Sequence, residues 1–213
     1  MKGLGSALTA KEGAMSLRYA ILGVLDGRPM TGYELGAFFE ASANWVWNAK
    51  LSQIYPLLNS MADEGVISRE DEATGRRHST RYDITTAGHE ELREWLNTAH
   101  PLQAVRDSAF LQALFLELLD ADDVEAVLDS LIAQHEERIA SWREHQRQLL
   151  EGATQLIRER MQTRPAHQHD RMRMMKALVF SGLVRQSEAA ISWARDMQVA
   201  SRLNDGFGPD ENG

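Results

Sequence analysis

Ser52, Gln53 and Tyr55 stand close together at the head of an apolar-periodic segment, and Arg76, Arg77 and Arg81 follow a short way downstream. A glutamine amide can pair with both hydrogen-bonding atoms on the adenine edge. Serine and tyrosine hydroxyls bond to base edges or phosphate oxygens, and arginines bond to phosphates. Asn48 and Lys50, just upstream, add two further groups suited to phosphate. The chemistry in view is recognition of a nucleic acid. Each residue also has a plainer reading. Ser52 can cap its helix, Tyr55 can fill a core, and Arg76 and Arg77 can be solvated surface. Arg81 can pair with an acid on an opposing strand.

Other chemistries are poorly served. The chain has no cysteine, so disulfides, thiolate metal sites and cysteine nucleophiles are absent. His167-Gln168-His169 offers two histidines without a third ligand, so no metal is expected. No nucleophile elbow or phosphate loop is present. No catalytic residue and no cofactor are therefore assigned. There is no apolar run of ~18 residues to span a membrane, and residues 1–14 lack the apolar stretch of a secretory signal. A cytoplasmic location is the expectation.

The net charge of -8 bears on DNA, whose phosphates demand local positive charge. Neither half of the chain is basic. Between Gly75 and Arg81, however, there are three arginines and a histidine with no acid among them. Binding needs a basic patch and not a basic protein.

The positioning elements read as follows. Leu17, Ala20, Ile21, Val24 and Leu25 form one face of a first helix, which ends at Gly27-Arg28-Pro29. Thr31 with Glu34 predicts a capping box for a second helix carrying Tyr33, Leu35, Phe38 and Phe39. An aromatic connection, Asn44-Trp45-Val46-Trp47-Asn48, leads to a third helix, Leu51 to Glu64. Leu51, Ile54, Leu57, Leu58 and Met61 are its apolar face; Ser52 is its expected N-cap and Gly65 its C-terminal stop. Strands over 66–71 and 78–84 flank a turn at Thr74-Gly75-Arg76-Arg77, and Thr85-Thr86 caps a fourth helix with Leu92, Trp95 and Leu96. Three helices, a two-stranded wing and a closing helix make a winged helix-turn-helix.

Beyond Pro101 the pattern becomes heptad-like. Phe110, Leu111, Leu114, Phe115 and Leu118 predict one strongly apolar helix. From Val124 to Arg160 the spacing by threes and fours predicts a single helix of roughly forty residues, about 60 Å long. A last helix carries a seam of Met172, Met175, Val179, Gly182, Gln186, Ala189, Trp193 and Ala200. Helices of that length exceed what so small a domain can cover, which predicts packing on a second chain. The reading is a mainly α protein. It has a disordered extension at 1–14, a DNA-binding domain at 15–100, a helical dimerisation domain at 101–203 and a disordered tail at 204–213. Trp45, Trp47 and Trp95 could line an effector pocket, although aromatic residues at helix junctions more often fill cores. Met172, Met174 and Met175 are assigned to core filling and His135 to a hydrogen-bonded helix interface.

The segments Leu17-Arg18-Tyr19-Ala20-Ile21-Leu22-Gly23-Val24-Leu25, Met30-Thr31-Gly32-Tyr33-Glu34-Leu35, Ser52-Gln53-Ile54-Tyr55-Pro56-Leu57-Leu58 and Tyr82-Asp83-Ile84-Thr85-Thr86-Ala87-Gly88 resemble, in order, the PadR-type transcriptional regulators. Trp47-Asn48-Ala49-Lys50 looks like the branch related to phenolic-acid-responsive repressors. The resemblance implies a homodimer that binds double-stranded DNA, usually as a repressor, and dimerises through C-terminal helices. A small aromatic effector that releases the DNA is a further expected partner. The acidic run Glu70-Asp71-Glu72 departs from the pattern and would repel phosphate if it faced DNA. The alternatives are a protein-interaction module, or a small-molecule-sensing binder, that uses the same fold without strong DNA binding.

Overall fold

In the computed structural model the described residues are 16–40, 50–74, 77–101 and 107–204; the expected extension, the tail beyond Asn204, Trp45, Trp47, Asn48 and Arg76 lie outside them. The chain divides into two compact units, Met1–Pro101 and Leu102–Gly213.

The N-terminal unit opens with helix α1, residues 16–25. Leu17, Ile21, Leu22, Val24 and Leu25 are buried along its inner face. Strand β1 (Met30–Thr31) follows, and Thr31 caps helix α2 (Gly32–Phe38). The capping box forms as the spacing predicts: the Glu34 N–H donates to Thr31 Oγ1 at 3.2 Å and the Thr31 N–H to Glu34 Oε2 at 2.7 Å. Helix α3 (Leu51–Asp63) buries Ile54, Leu58 and Met61. It stops where Gly65 takes φ 78°, and the Gly65 and Val66 N–H groups donate back to Ala62 and Met61. That left-handed turn is the conformation that selects glycine.

Strands β2 (Ile67–Thr74) and β3 (Arg77–Ile84) pair antiparallel, from Ile67 opposite Ile84 to Thr74 opposite Arg77. The sequence predicts a two-stranded wing. The sheet instead has three strands in the order β1-β3-β2, with Met30 opposite Tyr82 and Thr31 opposite Arg81. Two residues are too few to show an alternating pattern. Thr85 then caps helix α4 (Thr86–Leu96), its Oγ1 accepting from the Gly88 N–H at 3.2 Å.

Apolar residues from α1, α2, α3 and the sheet converge on one core, with Ile21, Leu22, Leu35, Phe39, Ile54, Leu58 and Met61 at 0% exposure. Each such side chain contributes about 1.5–3 kcal/mol. Beside it, Arg18 on α1 ties α4 and α3 together. It donates from Nε and Nη2 to the two carboxylate oxygens of Glu91 at 2.6 and 2.8 Å and pairs with Glu64 at 2.8 Å.

The C-terminal unit begins with a short helix, α5 (Ser108–Ala113), and a 3-10 turn, Leu116–Leu118. The sequence predicts one apolar helix here. The backbone breaks it, and Phe110, Leu111, Leu114, Phe115 and Leu118 all stand exposed, while Leu116 is buried. Helix α6 (Ala121–Glu151) is capped by Asp120, whose carboxylate accepts from the Asp123 N–H at 2.9 Å. The expected forty-residue helix is divided. Gly152 turns left-handed at φ 71°, and a separate helix, α7 (Gln155–Thr163), carries Leu156, Ile157 and Arg160. At 31 residues, α6 spans about 46 Å. Helix α8 (His169–Asn204) runs antiparallel along α6. Pairs such as Glu125 with Arg202, Asp129 with Gln198 and Gln146 with Ser181 fix the register.

The seam on α8 lies elsewhere than its sequence suggests. Ala177, Phe180, Val184, Ser187, Ile191 and Ala194 face inward, whereas Met175 and Val179 of the expected seam are exposed, with Met174 and Leu178 beside them. Met174 and Met175 therefore do not fill a core. Trp142 is buried, and Phe110 lies 4.7 Å from Trp193 ring to ring.

His135 does join two helices, its Nδ1 lying 2.9 Å from the Oγ of buried Ser187. Burial, reinforced by Arg138, lowers its pKa, while Asp107 opposes the shift. Burial also lowers that of His145, whose ring lies 4.6 Å from Phe180. Both imidazoles thus resist protonation in the fold. Their stabilisation is complete above the unfolded value of about 6.5 and is lost as pH falls below it. Glu34, Glu64 and Glu144 have lowered values, so their stabilisation is complete above the ordinary carboxylate range and is lost only as pH falls below it. Amide exchange in α6 and α8 should therefore be faster, after correction for intrinsic rates, at pH 5.5 than at pH 7.5. Equal protection would contradict this, and His135→Gln should shrink the difference.

Candidate nucleic-acid interface

Helix α3 presents a polar N-terminal face because its apolar residues are confined to the opposite side. Ile54, Leu58 and Met61 point into the core, and Leu51, Ser52, Gln53 and Tyr55 are exposed. The first turn is closed from an unexpected position. Lys50 is the N-cap residue, and its N–H donates to Gln53 Oε1 at 3.1 Å. Ser52, the expected cap, is instead the second residue of the helix. Its hydroxyl is not used for capping.

Two glycines set the approach of α2 to α3. A Cβ on Gly32 would lie 2.5 Å from Tyr55 Cε1, and one on Gly36 would lie 2.2 Å from Leu51 Cδ2. The residues pair as Gly32 with Tyr55 and Gly36 with Leu51, one helical turn apart on each element. This close seat holds the Tyr55 ring against α2 while leaving the residue 45% exposed. The two readings of Tyr55, packing and contact, are thus both available to it.

The wing is less basic than its sequence suggests. Arg77 opens β3 opposite Thr74. Arg81 lies on the central strand, next to β1, and turns into the domain: its Nη1 donates to the Pro29 carbonyl at 3.2 Å and lies 3.8 Å from Glu34. Arg81, expected at the DNA, is thus held by groups of its own domain. Glu70 and Asp71 are exposed on β2, and Asp71 accepts from the Thr80 hydroxyl at 2.8 Å. Arg18, Arg28 and Arg69 also each meet a carboxylate.

Trp95 does not wait for a ligand with bare faces. Tyr19 stacks on it at 4.7 Å and 13°, and His100 at 4.7 Å and 30°. Its partners in the expected pocket, Trp45 and Trp47, lie outside the described residues. His169, from the pair considered for metal, holds the Arg164 carbonyl at 2.8 Å.

The sequence reading missed Tyr33, which is 72% exposed. It shares its helix with Leu35, Phe38 and Phe39, but Leu35 and Phe39 are four residues apart and mark the buried stripe by themselves. Tyr33 falls nearly opposite Leu35 on the helix, and that signal was available.

Residues 21–94 match the model of the transcriptional regulator PadR-like family, and residues 105–200 match the virulence activator alpha C-terminal model. The negative transcriptional regulator PadR of Bacillus subtilis is 30% identical over 126 residues, which cover 58% of this chain and 69% of that protein. The chain belongs to the PadR-like family. PadR-like proteins are DNA-binding transcriptional regulators and not enzymes. The fold agrees: B. subtilis PadR in complex with operator DNA superposes with a TM-score of 0.69 at 24% identity, over 87% of this chain and 99% of that one. The same protein with p-coumaric acid gives 0.67 at 23% identity, over 89% and 97%. Among the described residues no helix is long and apolar enough to cross a membrane.

Proposed function

We propose that this PadR-like regulator is a cytoplasmic homodimeric repressor that binds a pseudo-palindromic operator and is released by a small aromatic effector. The observation that carries the DNA reading is the exposed head of α3, where Ser52, Gln53 and Tyr55 stand on a helix whose other side is locked into the core. On binding, the Gln53 amide turns from the Lys50 N–H to a base edge, Ser52 and Tyr55 contact base or phosphate, and Lys50 and Asn48 hold the backbone. Arg76 and Arg77 at the wing tip orient the duplex. A relative of repressor function and a neighbour bound to operator DNA support this assignment.

The dimer is supported by the apolar surface of the C-terminal unit, where Leu114 and Leu118 are 70% and 77% exposed. Residues of this kind rarely gather on the surface of a monomer. The effector is supported by the p-coumaric acid bound to a similar protein. It acts by altering the separation of the two α3 helices, a rigid-body change.

Titrating the full chain against the upstream region of its own gene tests the DNA reading. Affinity should fall steeply between low and moderate salt. Gln53→Ala should narrow the gap between operator and unrelated DNA by about tenfold or more, since a bidentate base contact is worth ~1–3 kcal/mol. Arg76→Ala with Arg77→Ala should weaken all DNA alike and flatten the salt dependence. Absence of binding to any fragment at low salt would leave the fold as an interaction module.

A further inference from the structure

The strongest unassigned feature of the N-terminal unit is Tyr33, a large aromatic residue left 72% exposed at the first turn of α2. Its place on the helix is fixed by its neighbours. Leu35 is buried at 0%, Phe39 lies in the core with it, and Gly32 and Gly36 face Tyr55 and Leu51 of α3. At 100° per residue, Tyr33 follows Gly32 onto the flank of α2 adjoining the head of α3. Glu34 is on the far flank, occupied by Thr31 and Arg28. Tyr33 makes no packing contribution commensurate with its size, and Phe39 already fills the core position. An exposed phenol beside the recognition helix is suited to donating one hydrogen bond.

The electrostatics indicate what would accept it. Arg18, Arg28, Arg69 and Arg81 all meet carboxylates within the unit. With these arginines committed inside the unit, neutral donors can share with Lys50 and the wing in holding phosphate, and hydroxyls serve that role. We propose that the Tyr33 hydroxyl donates to a backbone phosphate at the edge of the groove that α3 enters, positioning the duplex without reading its sequence. The proposal rests on the DNA reading above.

Tyr33→Phe removes the hydroxyl and keeps the ring. The full-length variant should bind operator about five- to tenfold more weakly per half-site, the worth of one hydrogen bond. Unrelated DNA should weaken by the same factor. The slope of affinity against salt should be unchanged, because a neutral donor displaces no counterion. Thermal unfolding should match the wild type. Equal operator affinity for wild type and Tyr33→Phe would overturn the proposal, as would a loss of affinity accompanied by a lower Tm. Failure of the wild type to bind any DNA would overturn the underlying reading, an outcome distinct from both.

Discussion

Replacing Leu114 and Leu118 together with glutamate is expected to yield a folded monomer whose operator affinity is at least about a hundredfold lower, the usual scale of bivalent gain. Both side chains are already in water, at 70% and 77% exposure, so the change removes nothing from the core of one copy. Exposed substitutions of this kind alter monomer stability by about 0.5 kcal/mol or less. In a dimer the same positions would hold four carboxylates at an apolar contact, and burying an unpaired charge is strongly unfavourable. Association should therefore fail while helicity is retained. Sedimentation equilibrium with circular dichroism separates these effects. A dimer of wild-type affinity carrying both glutamates would show that this surface does not join two chains.

Gly88→Ala should destabilise the winged-helix unit by about 2 kcal/mol net, because a collision with backbone puts the overpacking cost at its upper end, ~3 kcal/mol or more. A Cβ at this position would lie 2.1 Å from the Val66 carbonyl oxygen and 2.9 Å from Ile84 Cγ1. The carbonyl cannot step aside easily. It accepts from the Thr85 N–H at 3.1 Å, and Thr85 Oγ1 donates to the Gly65 carbonyl at 2.8 Å. Against this, alanine gains roughly 1 kcal/mol over glycine inside a helix, which sets the sign of the contest. Backbone collision should win. Gly36→Ala is the control, since it meets the movable end of Leu51 and should cost much less. A domain of this size loses about 4–8 °C per kcal/mol, so the melting of the N-terminal unit should drop by roughly 10 °C. Unchanged melting of Gly88→Ala would mean that α4 can shift relative to the sheet.

Much of the fold was legible because its signals are local. Thr31 with Glu34, Thr85 and Gly65 each act on backbone groups a few residues away, and each does what its position implies. Ser52 failed as a cap because the Gln53 amide reached the Lys50 N–H, a competition between two adequate partners. The α6–α7 break was hidden because apolar spacing continues past Gly152, so periodicity alone joins the two helices. On α8 both sides carry apolar residues, and the pattern could not say which side meets α6. Met175 and Val179 fit a seam by spacing, yet Phe180 and Val184 are the residues buried.

The candidate site divides along the same line. The exposed head of α3 follows from the burial of Ile54, Leu58 and Met61, which the sequence displays. Arg81 does not follow, because its partners at Pro29 and Glu34 are brought near only by the third strand. Acidic Glu70 lies opposite Arg81 on β2, with Asp71 opposite Thr80. In the proposed dimer, a second copy adds the positive charge that one domain lacks.

Hydroxyl-radical footprinting of the wild-type chain on its operator tests that account most directly. Two protected half-sites should appear with centres about one helical turn, ~34–36 Å, apart. They should be lost together on dilution or when either half is scrambled. A single protected half-site, held equally well without its mate, would contradict the paired reader.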